Sequence, residues 1–414
     1  MPQNRQQLLR WIEQDRDVLL EFLQNFIRCR TPNPPGDTRV AATHVQKFLD
    51  DRQLPYRVVA PNPEMPNIVA KFVCAQPGRN LILNGHIDVF PIGDPEKWTH
   101  DPWGGESVDG KIFGRGACDM KCGTTASIFT YYYLSRLRAE LHGSLTLTVV
   151  SDEETFGPWG ARYLIDHEPD VLGDCLLNGE PTSLFGFRFG EKGPLWLRFA
   201  VRTPGAHGAY AHKSKSATMI AAKLINDLLQ IGEIEPAAGS LDALLDGAAE
   251  VVDRAYGSGA SKIIRKVTVT PTVIHGGVKV NMIAAECMFE VDIRLPIGID
   301  EKRILAEVEK ILVEYPEAGY EVINSAPSNW SPPDGEMGKY IQQNANVISG
   351  IEPAAIIGLG GCDARLWRYK NIPAFVYGPS PTGMGTYDEY VTIEEFFHVV
   401  KTHVLSAYDY LAAA

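Results

Sequence analysis

The stretch Asn84-Gly85-His86-Ile87-Asp88-Val89-Phe90 follows directly on an apolar run, Leu81 to Leu83. Side chains two positions apart on a strand point to the same face, so we expect His86 and Asp88 to lie side by side where a strand ends. Imidazole and carboxylate groups both bind metals. The stretch therefore indicates a polar, metal-binding site at the end of a strand.

Acidic residues recur at the ends of other predicted strands. Asp152-Glu153-Glu154 follows the apolar run Leu145 to Val150, and Glu180 follows Cys175 to Leu177. Asp119 lies just beyond a Gly-Arg-Gly turn. In an open α/β sheet, ligands bind outside the carboxyl ends of the strands, so these acidic groups are expected to converge on one pocket. The pattern predicts an α/β fold with a metal-bearing hydrolytic site.

Bulk composition limits the range of functions. The chain has 414 residues, a length that favours two domains, and its 45% hydrophobic and 22% charged residues are typical of a soluble globular protein. A net charge of -12 argues against nucleic acid or an anionic membrane as the main partner. There is no signal-peptide pattern, no apolar run of membrane-spanning length and no CxxC pair among the seven cysteines. These features predict a cytoplasmic protein.

Periodicity along the chain predicts two structural units. Helices are expected over about 3–29, 37–52, 121–141, 216–231 and 300–314. Strand signals and helix signals alternate from Leu195 to Glu314, which indicates a compact inserted unit. After this unit, apolar runs at Ala354 to Leu359 and Ala374 to Tyr377 return the chain to the first sheet. We therefore predict a discontinuous metal-binding catalytic domain, residues 1–193 and 323–414, around an inserted α+β domain, residues 194–322.

One imidazole and three carboxylates form the candidate metal-ligand set: His86, Asp119, Glu154 and Glu180. This mixture of donors suits zinc, manganese or cobalt. Asp88 is expected to accept the other ring N–H of the histidine, although a histidine paired with a nearby aspartate is also a common structural feature. Adjacent carboxylates at a strand end repel unless a cation or a proton compensates, so one glutamate of the pair Glu153-Glu154 could bind the metal while its neighbour takes a proton from bound water.

Together these motifs resemble the metallopeptidase family of acetylornithine deacetylase, succinyl-diaminopimelate desuccinylase and glutamate carboxypeptidase. The segments that carry the resemblance are Gly85-His86-Ile87-Asp88, Gly114-Arg115-Gly116 with Asp119-Met120-Lys121, Asp152-Glu153-Glu154 and Gly179-Glu180-Pro181-Thr182. It implies a zinc-peptidase-like catalytic domain with a mixed sheet flanked by helices, plus an inserted lid and dimerisation domain. It also implies that His86, Asp119 and Glu180 hold one metal, that Asp119 bridges to a second metal bound by Glu154, and that Glu153 is the general base.

The inserted unit resembles the lid of the same family. Thr203-Pro204-Gly205-Ala206-His207 is similar to a segment whose histidine stabilises the oxyanion in the neighbouring subunit, which implies a homo-oligomer, either a dimer or a multiple of dimers. Asn281 and Arg294 are similar to residues that hold the substrate carboxylate, a role suited to an amide donor and a planar guanidinium. For Arg294, a salt bridge with Asp292 or another acid of the lid is the alternative.

The C-terminal segment departs from the family pattern. Members typically carry a histidine shortly before an Asp-Glu-Tyr sequence, and that histidine completes the second metal site. Here the sequence is Asp388-Glu389-Tyr390, and Gly385 stands where the histidine is expected. Glycine has no side chain to coordinate a metal, so we predict one firmly bound metal and a second that is weak or absent. His398 and His403, further along, are expected to be surface or packing residues.

Three functions follow as hypotheses. The first is a hydrolase that cleaves a C–N bond of a small carboxylate-bearing substrate, such as an N-acyl amino acid or a peptide. The second is an aminohydrolase that releases ammonia from an activated aromatic amine such as 5-nitroanthranilate with a single metal, an activity of an enzyme that resembles this family. The missing histidine favours it, as do nearby aromatic residues: Phe90, Trp98, Trp103, Phe113, Phe156 and Trp159. The third is a non-catalytic binding protein with a degraded metal site, against which the presence of Glu153 argues.

Overall fold

A computed structural model describes residues 3–237 and 239–413 of the chain. The predicted domain ranges also include positions 1, 2, 238 and 414, which lie outside the described residues. The α-helices are α1 Gln3–Gln14, α2 Arg16–Arg28, α3 Arg39–Asp51, α4 Cys122–Ser135, α5 Ala161–His167, α6 Ala217–Leu228, α7 Asp242–Gly247, α8 Ala249–Tyr256, α9 Ala260–Ile263, α10 Glu301–Leu312, α11 Glu336–Ser349, α12 Ala364–Tyr369 and α13 Ile393–Ala412.

Within the described residues, the strands form one large sheet and three smaller ones. They are β1 Tyr56–Val59, β2 Asn67–Val73, β3 Gln76–His86, β4 Glu106–Val108, β5 Lys111–Phe113, β6 His142–Val150, β7 Cys175–Asn178, β8 Gly186–Glu191, β9 Gly193–Arg202, β10 Ala206–His207, β11 Thr268–Gly276, β12 Met282–Ile283, β13 Glu286–Leu295, β14 Ala318–Ser325, β15 Asn329–Trp330, β16 Ala354–Gly358, β17 Ala374–Val376 and β18 Tyr390–Thr392. The large sheet has nine strands in the order β1-β2-β6-β3-β7-β17-β8-β15, with β16 paired to β8.

Strand directions in the large sheet decide where the site lies. β3 is parallel to both β6 and β7, and β7 is parallel to β17, whereas β2 runs antiparallel to β6. Because β3, β6 and β7 are parallel, their carboxyl ends meet at one edge, where His86, Glu153 and Glu180 follow in turn. The predicted mixed α/β sheet flanked by helices is therefore confirmed.

Helices cover the large sheet and bury its apolar residues. α4 is buried on nearly every side, which fits a sequence of small, apolar and aromatic residues without a charged side chain, and it packs against both the sheet and α13. α13 buries His398 and His403 along with its apolar residues. The two histidines are therefore packing residues. No helix among residues 3–237 and 239–413 has the length and apolar character needed to cross a bilayer.

A second, antiparallel sheet has the strand order β11-β13-β9-β14. One face is covered by α6 and α10, and the core beneath them includes Phe199, Phe289 and Ile304. This sheet begins with Gly193 at the start of β9 and ends with Ser325 at the end of β14. The division of the chain at 193/194 and 322/323 remains a prediction.

The short helices α7 to α9 lie between α6 and β11, where the sequence analysis predicts no element. Ala248, Val252 and Ala260 pack against Ile356 of β16, so the segment covers the part of the large sheet formed by β16 and β8. The segment is also held at its end, because the Lys192 ammonium donates to the main-chain carbonyl of Ile263 at 2.9 Å. The apolar residues Leu244, Leu245, Ala248, Val252 and Ala255 follow a helical period, so the local sequence does carry a signal for these helices.

Candidate metal centre

His86 is the last residue of β3 and is buried. Its Nδ1 lies 2.9 Å from the main-chain carbonyl of Asp88 and 3.6 Å from the carboxylate of the same residue. The expected partner was the carboxylate, and this expectation is wrong, because the main-chain carbonyl of Asp88 is the nearer acceptor. Since Nδ1 donates to this carbonyl, the lone pair of Nε2 points to the other side of the ring.

Asp119 and Glu180 lie on that other side. Nε2 of His86 is 3.3 Å from Asp119 Oδ1 and 3.2 Å from Glu180 Oε1. One ligand atom from each residue falls within 4.8 Å of the others, and all three side chains are buried. We call these residues the metal-ligand cluster.

The cluster fits a divalent cation. The Nε2 atom of His86 and the Oδ1 atom of Asp119 are buried and lack a hydrogen-bond partner among the described residues. Two donors bound to one tetrahedral zinc at ordinary lengths are about 3.3 Å apart, close to the separations here. Burial opposes protonation of His86, but the carboxylates of Asp119 and Glu180 outweigh it and raise the pKa of the imidazole well above its usual value. The site therefore attracts positive charge strongly.

Two glycines let the cluster assemble from separate elements. A Cβ on Gly123, at the start of α4, would lie 1.9 Å from the carbonyl oxygen of Gly179. Neither glycine tolerates a side chain, so the α4 N-terminus, which follows Asp119, lies directly against the loop that carries Glu180. The Glu180 main-chain N–H is fixed in turn by the side chain of Asn178 at 2.8 Å.

Glu389 supports the turn that carries Asp119. One oxygen of its fully buried carboxylate accepts hydrogen bonds from the main-chain N–H groups of Cys118 and Asp119, at 3.0 and 3.1 Å. The other oxygen accepts from the Arg115 guanidinium at 2.6 Å. The pairing of Glu389 with Arg115 could not be foreseen from local sequence patterns, because 274 residues separate the partners.

The Asp88 carboxylate holds the loop after β6. Its two oxygens accept from the main-chain N–H groups of Glu153 and Glu154, at 3.3 and 3.1 Å, and one oxygen also accepts from the Asn33 amide at 2.8 Å. Asp88 therefore connects the strand end of His86 with the glutamate pair. It positions the loop rather than the imidazole ring.

Glu153 has the surroundings of a proton acceptor with an elevated pKa. Its Oε1 is buried without a hydrogen-bond partner among the described residues, and Arg365 Nη1 is 3.5 Å away. Burial raises the pKa of Glu153 well above its usual value, the carboxylates of Glu180 and Asp363 act in the same direction, and His86 and Arg365 oppose them. A carboxylate with a raised pKa is a stronger base than an ordinary glutamate, which suits it to accept a proton.

Glu154 lies apart from the metal-ligand cluster. It is not a member of the group of ligand atoms found within the described residues, although its pKa is raised first by burial and then by the nearby charge of Asp119. Gly385 is exposed, and a Cβ there would have Phe90 as its nearest neighbour, at 4.0 Å. Nothing from Gly385 can replace the missing imidazole.

His207 and Asn281 lie close together at a small two-stranded ribbon, in the same part of the chain as the second sheet. His207 pairs with Met282 in the β10–β12 ribbon, and both His207 and Asn281 are exposed. An open groove of about 1290 Å³ includes His207 in its lining and none of the metal-ligand cluster. Within one chain, the structure therefore places His207 in a cavity separate from the metal centre.

Arg294 is engaged by its own strand. Its Nε and Nη2 donate to the two oxygens of Asp292, each at 2.8 Å. This is the salt bridge that the sequence left open as an alternative. Asp292 also accepts from the Trp196 indole at 3.2 Å, so a carboxylate-binding role for Arg294 requires the substrate to compete with Asp292.

Of the aromatic residues near the predicted motifs, three pack against residues outside the cluster or lie at the surface. Trp98 stacks edge-on against Tyr387, Phe113 stacks on His100, and Trp159 is 39% exposed. The exception is Phe156, whose ring lies 4.2 Å from the guanidinium carbon of Arg365.

A buried His-Asp-Glu cluster at the carboxyl edge of a mixed sheet, with a free carboxylate beside it, defines a metallohydrolase centre. The family described as Peptidase family M20/M25/M40 matches residues 82–408. The chain belongs to this family, and the resemblance inferred from the motifs is confirmed. It is a hydrolase that acts on C–N bonds, so the hypothesis of a non-catalytic binding protein is set aside.

Individual relatives are similar at moderate identity. A succinyl-diaminopimelate desuccinylase of Cereibacter sphaeroides strain ATCC 17025 is 27% identical over 382 residues, covering 90% of this chain and 93% of the relative. The M20 family metallo-carboxypeptidase Sso-CP2 of Sulfolobus solfataricus superimposes with a TM-score of 0.81 at 17% identity, over 95% of this chain and 99% of that chain. YXEP of Bacillus subtilis, described as a dinuclear metal-binding peptidase, has a TM-score of 0.62 at 17% identity, over 96% and 100%. At these identities the solved structures support the fold.

Proposed function

We propose that the chain hydrolyses an amide bond in a small carboxylate-bearing substrate, an N-acyl amino acid or a short peptide, with one divalent metal held by His86, Asp119 and Glu180. The observation that carries the proposal is the pair of close, unpartnered atoms, His86 Nε2 and Asp119 Oδ1, buried at the carboxyl edge of the sheet. The donor set suits zinc, manganese or cobalt. Hydrolysis is the activity that such a site supports best.

A metal bound there supplies Lewis acidity, which polarises the scissile carbonyl and makes a water molecule easier to deprotonate. Glu153 takes a proton from the attacking water and returns it to the leaving nitrogen, which its raised pKa favours. Asp88 keeps Glu153 beside the cluster through its hydrogen bond to the Glu153 N–H. Arg365, 3.5 Å from the Glu153 carboxylate, restrains that carboxylate and limits how far its pKa rises.

A second metal would be held weakly. Glu154 and the far side of Asp119 are the remaining donors, and Gly385 supplies none. The dinuclear character of the B. subtilis relative therefore does not transfer to this chain. Replacement of the glycine tests this account: Gly385→His should raise the metal content toward two per chain. Gly385 has a φ of 70°, a conformation in which histidine costs about 1 kcal/mol, and the space around it is open.

In the proposed oligomer, residues of the inserted lid domain complete the active site. His207 stabilises the oxyanion in the partner subunit, and Asn281 with Arg294 holds a substrate carboxylate once Asp292 is displaced. Support comes from the exposure of the ribbon and from the apolar side chains beside it, since Val278 is 91% exposed and Val280 fully so. Such residues are typical of a contact with a second copy. A dimer or a multiple of dimers is therefore proposed, acting in the cytoplasm, where seven buried, unpaired cysteines stay reduced.

An aminohydrolase acting on an activated aromatic amine is the second candidate. The Phe156 ring, which stacks on Arg365 next to Glu153, is the observation that favours it, since it offers an aromatic surface beside the base. Both candidate activities require only one bound metal.

The experiment is a substrate panel on the zinc-, manganese- and cobalt-loaded protein. N-acyl amino acids, dipeptides and amino-benzoates are supplied, and amino-acid release and ammonia release are measured separately. The proposal predicts amino-acid release that disappears on chelation. Ammonia release from amino-benzoates without amide hydrolysis would replace it with the second candidate, and full turnover after exhaustive chelation would remove both.

A further inference from the structure

A Pro-rich segment, residues 31–36, joins α2 to α3 and lies against the chain that follows β3. The Asn33 main-chain N–H donates to the Val89 carbonyl at 2.8 Å, and the Val89 N–H donates to the Thr31 carbonyl at 3.0 Å. The Thr31 hydroxyl also donates to the Ile87 carbonyl at 2.6 Å. The Pro-rich segment is therefore a fixed neighbour of the strand end that carries the metal-ligand histidine.

The chain just before this segment is tied to the turn that carries Asp119. The main-chain carbonyl of Cys29 accepts a hydrogen bond from the Lys121 ammonium at 2.6 Å. Lys121 is fully buried and lies two residues after Asp119. A buried ammonium is unfavourable without acceptors, so the folded protein retains this contact. The stretch from 29 to 36 thus contacts two of the elements that build the metal centre.

The Asn33 side chain reaches a third element, the loop after β6. Its Nδ2 donates to Asp88 Oδ2 at 2.8 Å and to Asp152 Oδ1 at 3.2 Å. An amide group has two N–H hydrogens, so each carboxylate receives one of them. Asn33 is only 4% exposed, and both aspartates are buried. One neutral amide therefore lies between two buried carboxylates that would otherwise repel each other.

The two aspartates hold the loop from different sides. Asp88 accepts from the main-chain N–H groups of the glutamate pair that begins the loop. Asp152 accepts from the Thr155 hydroxyl at 2.7 Å and from the Trp159 N–H at 3.1 Å. The loop closes tightly over Asp152, because a Cβ on Gly157 would lie 1.9 Å from Asp152 Oδ2. Asn33 therefore connects the carboxylate that anchors the start of the loop with the carboxylate that organises the rest.

The backbone of this loop depends on such contacts. Asp152 and Phe156 have φ values of 64° and 52°, in the left-handed region. Residues other than glycine keep this conformation only where the surrounding structure holds them in it. The Phe156 ring packs on Arg365, whereas Asp152 is held by the hydrogen bonds of its carboxylate, including the one from Asn33. Loss of the Asn33 amide should therefore let the residue next to Glu153 relax.

We propose that Asn33 is a positioning residue for the general base: through Asp88 and Asp152 it fixes where the Glu153 carboxylate lies relative to the metal-ligand cluster. This step rests on the proposed function, because it takes Glu153 as the base. A displacement of about 1 Å is enough to lower a rate by about 10²-fold. The Pro-rich segment therefore belongs to the active site, although the proposed ligands and the base come from other elements.

The first test is Asn33→Ala in the zinc-loaded full-length protein, assayed on the N-acyl amino acid or dipeptide of the panel with the highest turnover. The kcat should fall about 10- to 100-fold, because the base is displaced. KM and the dissociation constant for zinc should stay within about twofold of wild type, since the substrate contacts and the metal ligands remain. The absorption spectrum of the cobalt-loaded variant should also match wild type.

Asn344→Ala is the matched control. Asn344 is a fully buried asparagine between α11 and α13, and its Nδ2 donates to Ser406 at 3.3 Å and to Asp409 at 2.9 Å. Its replacement removes the same kind of bridging amide from a different part of the protein. The melting temperature should fall while kcat stays at the wild-type value, which separates positioning of the base from general destabilisation.

Asn33→Asp gives a signature in the pH profile. The variant keeps the shape of the side chain and places a third carboxyl group between two carboxylates, which raise the pKa of the new group. The new group donates a hydrogen bond only when it is protonated. The ratio of variant to wild-type kcat, measured at equal pH, should therefore rise as the pH falls from about 8 to about 6. If Asn33→Ala does not fold, this variant decides, and a ratio near one at every pH contradicts the proposal.

Hydrogen exchange measured by mass spectrometry provides a readout that needs no turnover. Asn33→Ala should speed exchange of the main-chain amides of residues 152–159 at least about tenfold, and Asn344→Ala should leave them unchanged. Unchanged exchange with a near wild-type kcat would overturn the positioning role and leave the proposed function intact. Loss of zinc in proportion to activity would also overturn it, since Asn33 would then support the ligands. Faster exchange in a protein that hydrolyses no amide keeps the hold of Asn33 on the loop and removes the proposed function.

Discussion

The second sheet and the carboxyl edge of the large sheet differ in how exposed their charged side chains are and in whether those side chains are paired. In the second sheet, charges lie at the surface and are paired: Arg198 bridges Glu290 and Glu321 at 2.8 Å each, with side chains 25% to 62% exposed. At the carboxyl edge of the large sheet, His86 and Glu153 are buried, and each carries a buried polar atom without a partner among the described residues.

This difference distinguishes charged residues that only form surface ion pairs from charged residues that are placed to bind ligands. Exposed pairs contribute little to stability because water and salt screen them. Buried groups with unmet hydrogen bonds are unfavourable in the protein alone, and a bound metal and substrate can compensate them. The edge of the large sheet is thus shaped for ligands, whereas the charged residues of the second sheet are satisfied within their own fold.

The largest expected effect is the loss of turnover when Glu153, the proposed general base, is replaced. Glu153→Gln keeps the size of the side chain but cannot take up a proton, so turnover should fall about 10²- to 10⁴-fold while the metal content stays constant. Steady-state kinetics and metal analysis of the purified variant measure both. Glu352→Gln, at an exposed position, is the control. Retention of a near wild-type rate would remove Glu153 as the base.

A smaller effect is expected at Glu389, which supports a ligand without touching the metal. Glu389→Gln loses the charged pair with Arg115 and weakens the hold on the Asp119 turn. The dissociation constant for zinc should rise about 10- to 100-fold, as is typical when a group behind a ligand is removed. Competition with a chromogenic chelator gives the value, and Glu394→Gln, exposed on α13, should match wild type. Unchanged affinity would mean that the turn is rigid without Glu389.

The fully buried His403 should have a moderate effect on the free energy of unfolding, and this effect depends on pH. Burial lowers the pKa of His403 from 6.5 to about 4, and its Nε2 donates to the Tyr377 carbonyl. Between these pKa values the unfolded chain binds a proton that the folded chain does not, so stability falls as the pH drops. From pH 7 to 5 this histidine alone accounts for about 2 kcal/mol of lost unfolding free energy.

Denaturant unfolding at several pH values measures that loss. His403→Gln retains an N–H donor and has no titrating ring, so it should show a shallower decline in stability with acid. His212→Gln, at an exposed position, should follow wild type. An identical acid profile for His403→Gln and wild type would contradict the assignment.

The smallest effect on stability is expected for a substitution in the second sheet. Arg198→Met removes both exposed ion pairs, and the unfolding free energy should change by no more than about 0.5 kcal/mol per pair at moderate salt. Thermal or denaturant unfolding provides the value. A loss of several kcal/mol, or a change in metal content, would erase the distinction between the two sheets.

The sequence was most informative where local periodicity and strand ends coincide. Strand ends at His86 and Glu180 could be placed because apolar runs precede them and because parallel strands end at one edge. The expectation for Asp88 was wrong in one detail, since its main-chain carbonyl is the nearer acceptor, which residue spacing cannot reveal. The predicted helix over 121–141 ends earlier, at Ser135.

Long-range partners could not be predicted from the chain alone. Arg115 with Glu389, and Arg188 with Tyr256, come together only through the fold, because nothing in the local sequence links them. The α7–α9 segment has a helical apolar period, but its packing against β16 could not be read from the local sequence. Arg294 illustrates the same limit: its pairing with Asp292 was one of two open possibilities until the strand geometry was known.

The most direct test of the account is the number of tightly bound metals per chain, measured by elemental analysis after equilibrium dialysis against a graded series of chelator concentrations. The account predicts one tight metal per wild-type chain, lost in His86→Ala, with hydrolytic activity proportional to its occupancy. Two metals of equal affinity, or activity that persists when that single metal has been removed, would contradict it.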